Sequence, residues 1–553
     1  MTRAGLAGLL LLAGCAAGRP RPEIAEPSPP PRLVLVISVD QLRADRLDPR
    51  LPGGLGRLAR EGRVFADAAH AHSDTETCPG HAVLLTGRHP GPAGVPANDW
   101  IDRASGRSRY CVEDDGPEGA VLGAPASAPG EVPTGRSPRL LRVDAFGDWL
   151  RAARPGARVF TVSGKDRSAI AMGGRRPDAA YWLDLGALGF TTSAWYRDAL
   201  PDWVRAWHGE NGAWLAQVPE RWEHATGAPA NGARPDPSAG EATLHSATSP
   251  HPVRDADLRR FVDRLRFTPF LDDLTLDFAL TLFEEEGLGR DETVDLLAIG
   301  LSATDYVGHL YGPGSQEARD ALLRLDAALG RFLEIVDARV GPGRTLVVLS
   351  ADHGVLELPE WLSATGTGEC PLPGGRGDGR AVLGAAAAAL AKRFGAPPAP
   401  HTSWLLSSGY ALTVNRAAAE ARRIPPERIV AVAREALAAQ PGVARVWTAA
   451  EIEGGGGPEP FATLYRHSFD PERSGDLVVQ PVGTCLLSER PQGTTHGSPY
   501  LYDRAVPVVF AGPGVAPGVV RGQVAPVDIA PTLAQALGIP APPALDGRPL
   551  PLR

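Results

Sequence analysis

Carboxylates and imidazoles recur in this chain at the ends of apolar runs. Leu33 to Val39 leads into Asp40, Val294 to Leu301 leads into Ser-Ala-Thr-Asp305, and Thr345 to Leu349 leads into Ser-Ala-Asp352-His353. His309 follows Asp305 by four residues, a spacing that places both side chains on one face of a helix, and His496 lies in a later loop segment. A single Asp after a strand is an ordinary cap or turn former, but six such groups together form a pattern. Imidazole plus carboxylate suits zinc. Six ligands give two ions three protein ligands each, and two ions roughly 3.5–4 Å apart form the clamp used for in-line displacement at phosphorus.

That chemistry needs a nucleophile. The stretch His72 to Ala82, H-S-D-T-E-T-C-P-G-H-A, carries three hydroxyls immediately before the apolar Val83-Leu84-Leu85. Thr77 lies two residues before Pro79, which a first helical turn tolerates. This places Thr77 at a helix N-cap, where free backbone N–H groups favour an anion such as a phosphate. A neighbouring metal lowers the pKa of such a hydroxyl and makes it a usable nucleophile. Of the 56 basic residues only Lys165 and Lys392 are lysines, and Lys165 falls in Lys165-Asp166-Arg167 at the end of the run Arg158 to Val162.

The elements that must hold these groups follow from the apolar runs. They are continuous rather than alternating, as in a sheet buried on both faces, and Val506 to Phe510 adds a further one. Helical stretches such as Gly54 to Glu61, Ser315 to Val340 and Asp528 to Leu537 lie between or after them. The alternation predicts an α/β fold with a largely parallel sheet, in which ligands bind outside the carboxyl ends of the strands. Two long segments break the pattern, from about 171 to 290 and from about 361 to 480; both read as insertions capping the active-site end. The second holds helical stretches at Ala381 to Phe394 and Pro426 to Ala439.

Bulk properties describe an ordinary globular protein: 553 residues, 43% hydrophobic and 22% charged. The formal charge of -8 argues against a nucleic-acid partner, which calls for a basic patch or stripe. Residues 1–15 read as an export signal, with Arg3, the apolar Leu6 to Leu12, and Leu12-Ala13-Gly14-Cys15 in the form of a bacterial lipobox. The apolar stretch is too short to span a membrane. Residues 16–31, rich in Pro and Ala, then form a tether, and the protein is expected in the periplasm or on the outer membrane, held by an N-terminal lipid alone. Cys78, Cys111, Cys370 and Cys485 could form two disulfides in three pairings, among which the sequence does not choose.

The ordered set Asp40, Thr77-Cys-Pro-Gly-His-Ala, Asn98-Asp-Trp, Lys165-Asp-Arg167, Asp305-x-x-x-His309-x-x-Gly, Asp352-His353-Gly and His496-Gly resembles the alkaline phosphatase superfamily. The resemblance runs from about residue 32 to residue 553. It is to the branch of phosphate-irrepressible periplasmic alkaline phosphatases, related to the nucleotide pyrophosphatase/phosphodiesterases. It implies that Asp305, His309 and His496 bind one Zn2+ and that Asp40, Asp352 and His353 bind the other, with Thr77 attacking phosphorus between them. It also implies that Asn98, Lys165 and Arg167 meet the phosphoryl oxygens. A monoester dianion offers three charged oxygens to such groups, whereas a diester has one of them esterified. Small phosphate monoesters are therefore the expected substrates, and diester or pyrophosphate hydrolysis is the alternative. Sulfatases of the superfamily mature a residue in C/S-x-P-x-R; here Thr77 and His81 stand in those places, so that chemistry is excluded. His70, His72, His81 and His89 are expected to pack around the nucleophile.

Overall fold

Seven consecutive apolar or small residues, Leu33–Val39, form the middle strand of a nine-stranded sheet, and all seven are buried. The computed structural model describes residue 1 and residues 29–125, 135–224, 233–242 and 246–553. The expected export signal and most of the tether lie outside the described residues. The sheet order is Gly518–Val520, Arg63–Phe65, Val509–Ala511, Thr345–Ser350, Leu33–Val39, Asp295–Leu301, Val159–Ser163, Ala179–Asp184 and Gly189–Thr191. The five strands from Thr345–Ser350 to Ala179–Asp184 run parallel, and antiparallel pairs flank them on both sides.

The continuous apolar runs are explained by two cores, one on each face. Leu33, Leu35, Ile37 and Val39 point to one side, where they meet Leu274, Phe278, Leu329 and Phe332 from the helices Phe270–Glu285 and Gln316–Val340. Val34 and Val36 point to the other, against Leu84, Phe146, Trp149 and Leu533 from the helices Thr77–Thr86, Phe146–Ala153 and Ile529–Leu537. Successive side chains alternate across the sheet, so a strand covered on both faces must be apolar at every position.

The strands Leu405–Ser408, Ala411–Val414, Leu477–Pro481 and Val443–Thr448 form a separate antiparallel sheet with its own core, to which Val382, Leu390, Ile429 and Leu437 contribute from the helices Gly379–Phe394 and Pro426–Ala438. The segment 171–290 differs from the expectation of a cap. Its strands Ala179–Asp184 and Gly189–Thr191 extend the main sheet, and its helix Phe270–Glu285 packs on that sheet, because Ala179, Tyr181 and Phe190 are fully buried there. Disulfides join Cys78 to Cys111 and Cys370 to Cys485. Among the described residues, no helix is long and apolar enough to cross a membrane.

The helix Thr77–Thr86 is buried along its whole length and ends at Gly87, whose φ of 64° is the left-handed conformation that glycine adopts without penalty. Its interior Gly80 passes the turn after strand Thr345–Ser350 so closely that a Cβ would lie 2.1 Å from the Asp352 carbonyl oxygen. An interior Gly→Ala change ordinarily stabilises a helix by about 1 kcal/mol. Here overpacking should reverse the sign. Gly80→Ala is expected to cost about 1–3 kcal/mol, read as a lower denaturation midpoint; an unchanged or raised midpoint would contradict this close approach.

Candidate active site

Strand register brings the chemistry together. Ser38 sits beside Gly300 on one side and Ser350 on the other, and Gly300 sits beside Ser163. Four neighbouring parallel strands therefore finish at one level, and the next residues are Asp40, the Ser302–Asp305 turn, Asp352-His353 and Lys165. Adjacent strands lie about 4.8 Å apart, so groups far apart in sequence become neighbours.

Two ligand clusters result, each with its ligand atoms within 4.8 Å of one another: Asp305 with His309 and His496, and Asp40 with Asp352 and His353. Asp305 and His309 occupy the helix Ala303–Tyr311, where the i, i+4 spacing sets His309 Nε2 3.2 Å from Asp305 Oδ1. His496 Nε2 is 3.6 Å from the same oxygen. In the other cluster His353 Nε2 lies 3.5 Å from Asp40 Oδ1 and 3.3 Å from Asp352 Oδ2. The His353 and His496 rings stack with centroids 3.5 Å apart, so the clusters are adjacent.

The donor set fits a metal pair. A backbone carbonyl can only accept, and each of the three imidazoles places Nδ1 on one: His309 on Thr494, His353 on Gly354 and His496 on Thr75, at 2.8, 2.9 and 2.6 Å. Nδ1 must therefore carry the proton, and Nε2 is the free lone pair that a metal takes. Burial holds His353 below its usual pKa and His496 well below it, which keeps both neutral as ligands require. Asp40 Oδ1, Asp352 Oδ2 and His353 Nε2 are buried and have no hydrogen-bond partner. Polar atoms of this kind are costly unless something coordinates them.

Thr77 stands one place further into its helix than expected. Glu76 is the extended N-cap residue (φ -115°, ψ 164°), and Thr77 is the first helical residue. The shift frees the hydroxyl from capping. Thr77 Oγ1 accepts a hydrogen bond from Arg167 Nη2 at 3.3 Å. Thr75, by contrast, donates to the Ser498 carbonyl, and Ser73 bonds the Ser468 hydroxyl. Asn98 is bound to the start of the same helix: its Oδ1 accepts from Cys78 N–H at 2.8 Å, and its own N–H donates to Glu76 Oε2 at 2.6 Å. The Cys78–Cys111 disulfide and the Cys111 N–H on the Asn98 carbonyl reinforce that link. Lys165 Nζ donates to Asp40 Oδ2 at 2.6 Å and to Asp305 Oδ2 at 2.5 Å, bridging the two clusters. A cleft of about 350 Å3 opens over these groups, lined by Thr77, Asn98, Arg167, His309 and His496.

Several contributors take roles that the sequence does not show, Gln41 above all. Gln41, whose φ of 69° is unusual for a residue with a side chain, donates its N–H to Asp352 Oδ1 and its Nε2 to Asp305 Oδ1, at 3.1 and 2.6 Å. It thus ties one cluster to the other. His81 places Nδ1 on the Thr77 carbonyl and 3.2 Å from Asp352 Oδ2. Arg167 is oriented by Tyr110, whose hydroxyl donates to Asp166 Oδ1 while Arg136 holds Asp166 Oδ2. An Asp-Gln pair after a strand looks like any turn, and these partners lie far away in sequence.

Residues 34–482 match the family described as type I phosphodiesterase / nucleotide pyrophosphatase. The chain is 35% identical to alkaline phosphatase PhoK of Sphingomonas sp, over 94% of this chain and 90% of that protein. It is 30% identical to alkaline phosphatase PafA of Elizabethkingia meningoseptica, over 94% of each. The solved structure of wild-type alkaline phosphatase PafA matches with a TM-score of 0.83 at 29% identity, covering 94% of this chain and 98% of that one. With its parallel sheet and the acids and histidines at its strand ends, this chain belongs to the type I phosphodiesterase / nucleotide pyrophosphatase family, within the alkaline phosphatase superfamily.

Gln41 supplies a direct test of this geometry. Gln41→Ala removes the Nε2 bond to Asp305 and keeps the backbone bond to Asp352. Losing a hydrogen bond to a charged group costs about 1.5–3 kcal/mol. The variant should need at least tenfold more divalent metal for half-maximal activity in a metal-buffered titration; an unchanged titration would mean that Gln41 does not orient Asp305.

Proposed function

We propose that this protein is a zinc-dependent phosphomonoesterase that works through a covalent phosphothreonine on Thr77. One observation carries the reading: Arg167 reaches the Thr77 hydroxyl while Lys165 stands between both ligand clusters, so two cations beyond any metal face the place a phosphoryl group would take. The names of the relatives, alkaline phosphatases at 30–35% identity across nearly the whole chain, support the same class.

Asp305, His309 and His496 would hold one zinc ion, and Asp40, Asp352 and His353 the other. When bound, the ions supply Lewis acidity toward the phosphoryl group and a lowered pKa for the nucleophile. The Thr77 hydroxyl releases its proton to solvent and Oγ attacks phosphorus; the new P–O bond forms as the ester P–O bond breaks, and the leaving oxygen takes the electron pair and then a proton from water in the open cleft. Water attacks the phosphothreonine in turn, phosphate leaves, and the Thr77 hydroxyl is restored. Through both steps Arg167, Lys165 and the Asn98 amide meet the non-bridging oxygens, where charge-assisted hydrogen bonds matter most. A cavity of about 460 Å3 beside the cleft shares Glu76 and His496 with it and reaches Trp100, Tyr410 and Tyr465, giving room for an organic leaving group.

Hydrolysis of diesters or nucleotide pyrophosphates is the second reading, favoured by the description of the family itself. We also propose that the protein is exported and lipidated at Cys15; two disulfides suit an oxidising compartment.

Two experiments test the proposal. Thr77→Ala should abolish turnover while the folded protein keeps its metals, and acid-quenched wild-type enzyme should yield phosphate on Thr77; phosphate on Thr75 or Ser73 would sink the assignment. Replacing both Lys165 and Arg167 by Ala should lower monoester kcat/KM by roughly ten- to a hundredfold per residue and diester kcat/KM far less. Equal losses on both substrates, or a wild-type preference for diesters, would put the second reading first.

A further inference from the structure

A third group of metal-type donors lies apart from the catalytic clusters. His224, His251 and Glu317 bring their ligand atoms within 4.8 Å of one another. His251 belongs to a short ribbon in which His251–Pro252 pairs with Arg221–Trp222, and His224 follows two residues after Trp222. Trp222 anchors the ribbon through Nε1 on Asp320 Oδ2 at 2.7 Å. Glu317 is in the first turn of the helix Gln316–Val340, behind its Ser315 cap, and is fully buried.

The His251 ring is also held through Nδ1, here by hydroxyls in place of backbone carbonyls. His251 Nδ1 is engaged by Ser246 Oγ at 2.7 Å and by the Tyr311 hydroxyl at 3.2 Å, which turns Nε2 toward Glu317 Oε1 at 3.2 Å. His224 Nε2 lies 3.8 Å from the same oxygen. Glu317 Oε2 and His224 Nε2 are both buried without a hydrogen-bond partner. A fully buried carboxylate with an unused oxygen, facing two imidazole nitrogens, is an expensive arrangement with nothing bound.

We propose that His224, His251 and Glu317 form a third metal site for a zinc-class divalent ion, structural rather than catalytic. Two imidazoles and a carboxylate are donors that zinc takes, and water completes its tetrahedral coordination. The ion would clamp both ends of the stretch between His224 and His251 to the long helix. Within that stretch Ala242 N–H donates to the Leu310 carbonyl, and the Gly240 carbonyl accepts from Gly493 N–H, at 2.8 and 2.7 Å. Leu310 follows His309, and Thr494, next to Gly493, holds the His309 ring. The clamp therefore braces the wall that carries one catalytic cluster without touching it.

Metal analysis of full-length protein, reconstituted with zinc and freed of excess, tests the site. Wild type should carry one more zinc per chain than His251→Ala or Glu317→Gln, and both variants should melt at a lower temperature than wild type only when zinc is present. Equal zinc content in wild type and in folded variants would overturn the proposal. If neither variant folds, zinc-edge anomalous diffraction from wild-type crystals decides. A peak among His224, His251 and Glu317 supports the site; no peak there, beside occupied catalytic positions, refutes it.

Discussion

Three carboxylates, Asp40, Asp305 and Asp352, are buried side by side at the carboxyl ends of the central strands, and much of the molecule answers the cost of keeping them there. Charges of one sign in a low-dielectric interior are expensive unless compensated. Within the chain the compensation is incomplete. Lys165 bridges two of the carboxylates, while Arg167 is already partly balanced by Asp166. The remaining strain appears in the titration of the three acids. Asp40 is held well above the usual carboxylate range by burial and by Asp352, whereas Asp305 and Asp352 lie below it despite their burial, through the histidines beside them and Lys165. Such a group binds divalent cations with release of protons, and its affinity falls as pH drops.

The same constraint explains the polar layer behind the site. Each ligand ring is fixed by a backbone carbonyl, Asp352 by two backbone N–H groups and Asp305 by Gln41. The Thr77 helix is pressed onto the Asp352 turn at a glycine and bound to the segment from Asn98 to Cys111 by a disulfide and two hydrogen bonds. Flexible attachments would let the carboxylates separate and relieve their repulsion; a buried helix and two-sided strands do not allow it.

Much of the fold and site was legible because a strand buried on both faces must be apolar throughout and stops visibly at its first polar residue. That is why Asp40, Asp305, Asp352 and Lys165 could be found without coordinates. Gln41 was illegible because its role depends on partners 264 and 311 residues away, fixed only by strand register. The N-cap was misplaced because Thr is a favoured capping residue and Glu is not, so local preference pointed to Thr77, one residue beyond the true cap at Glu76. The strand Ala179–Asp184 was assigned to a cap since its Trp and Tyr sit among prolines and glycines, while its burial comes from contacts made across the sheet. His224, His251 and Glu317 left no trace because the ribbon that brings the two histidines to the helix of Glu317 is two residues long on each side and has no periodicity to read.

The sheet order has a consequence for how the protein is made. Its middle strand comes from the beginning of the chain, while the strand Val509–Ala511 that pairs with Thr345–Ser350 comes from near the other end. Of the two candidate ligand clusters at the strand ends, one is complete once His353 has been synthesised; the other waits for His496. A nascent chain that has passed Asp352 therefore carries the three acids without their full set of partners until His496 is made, and a product truncated between those two points keeps them so. Such a fragment cannot close its sheet and presents unpaired strand edges to other chains, so quality control would meet truncated copies as aggregating species rather than as weakened enzymes.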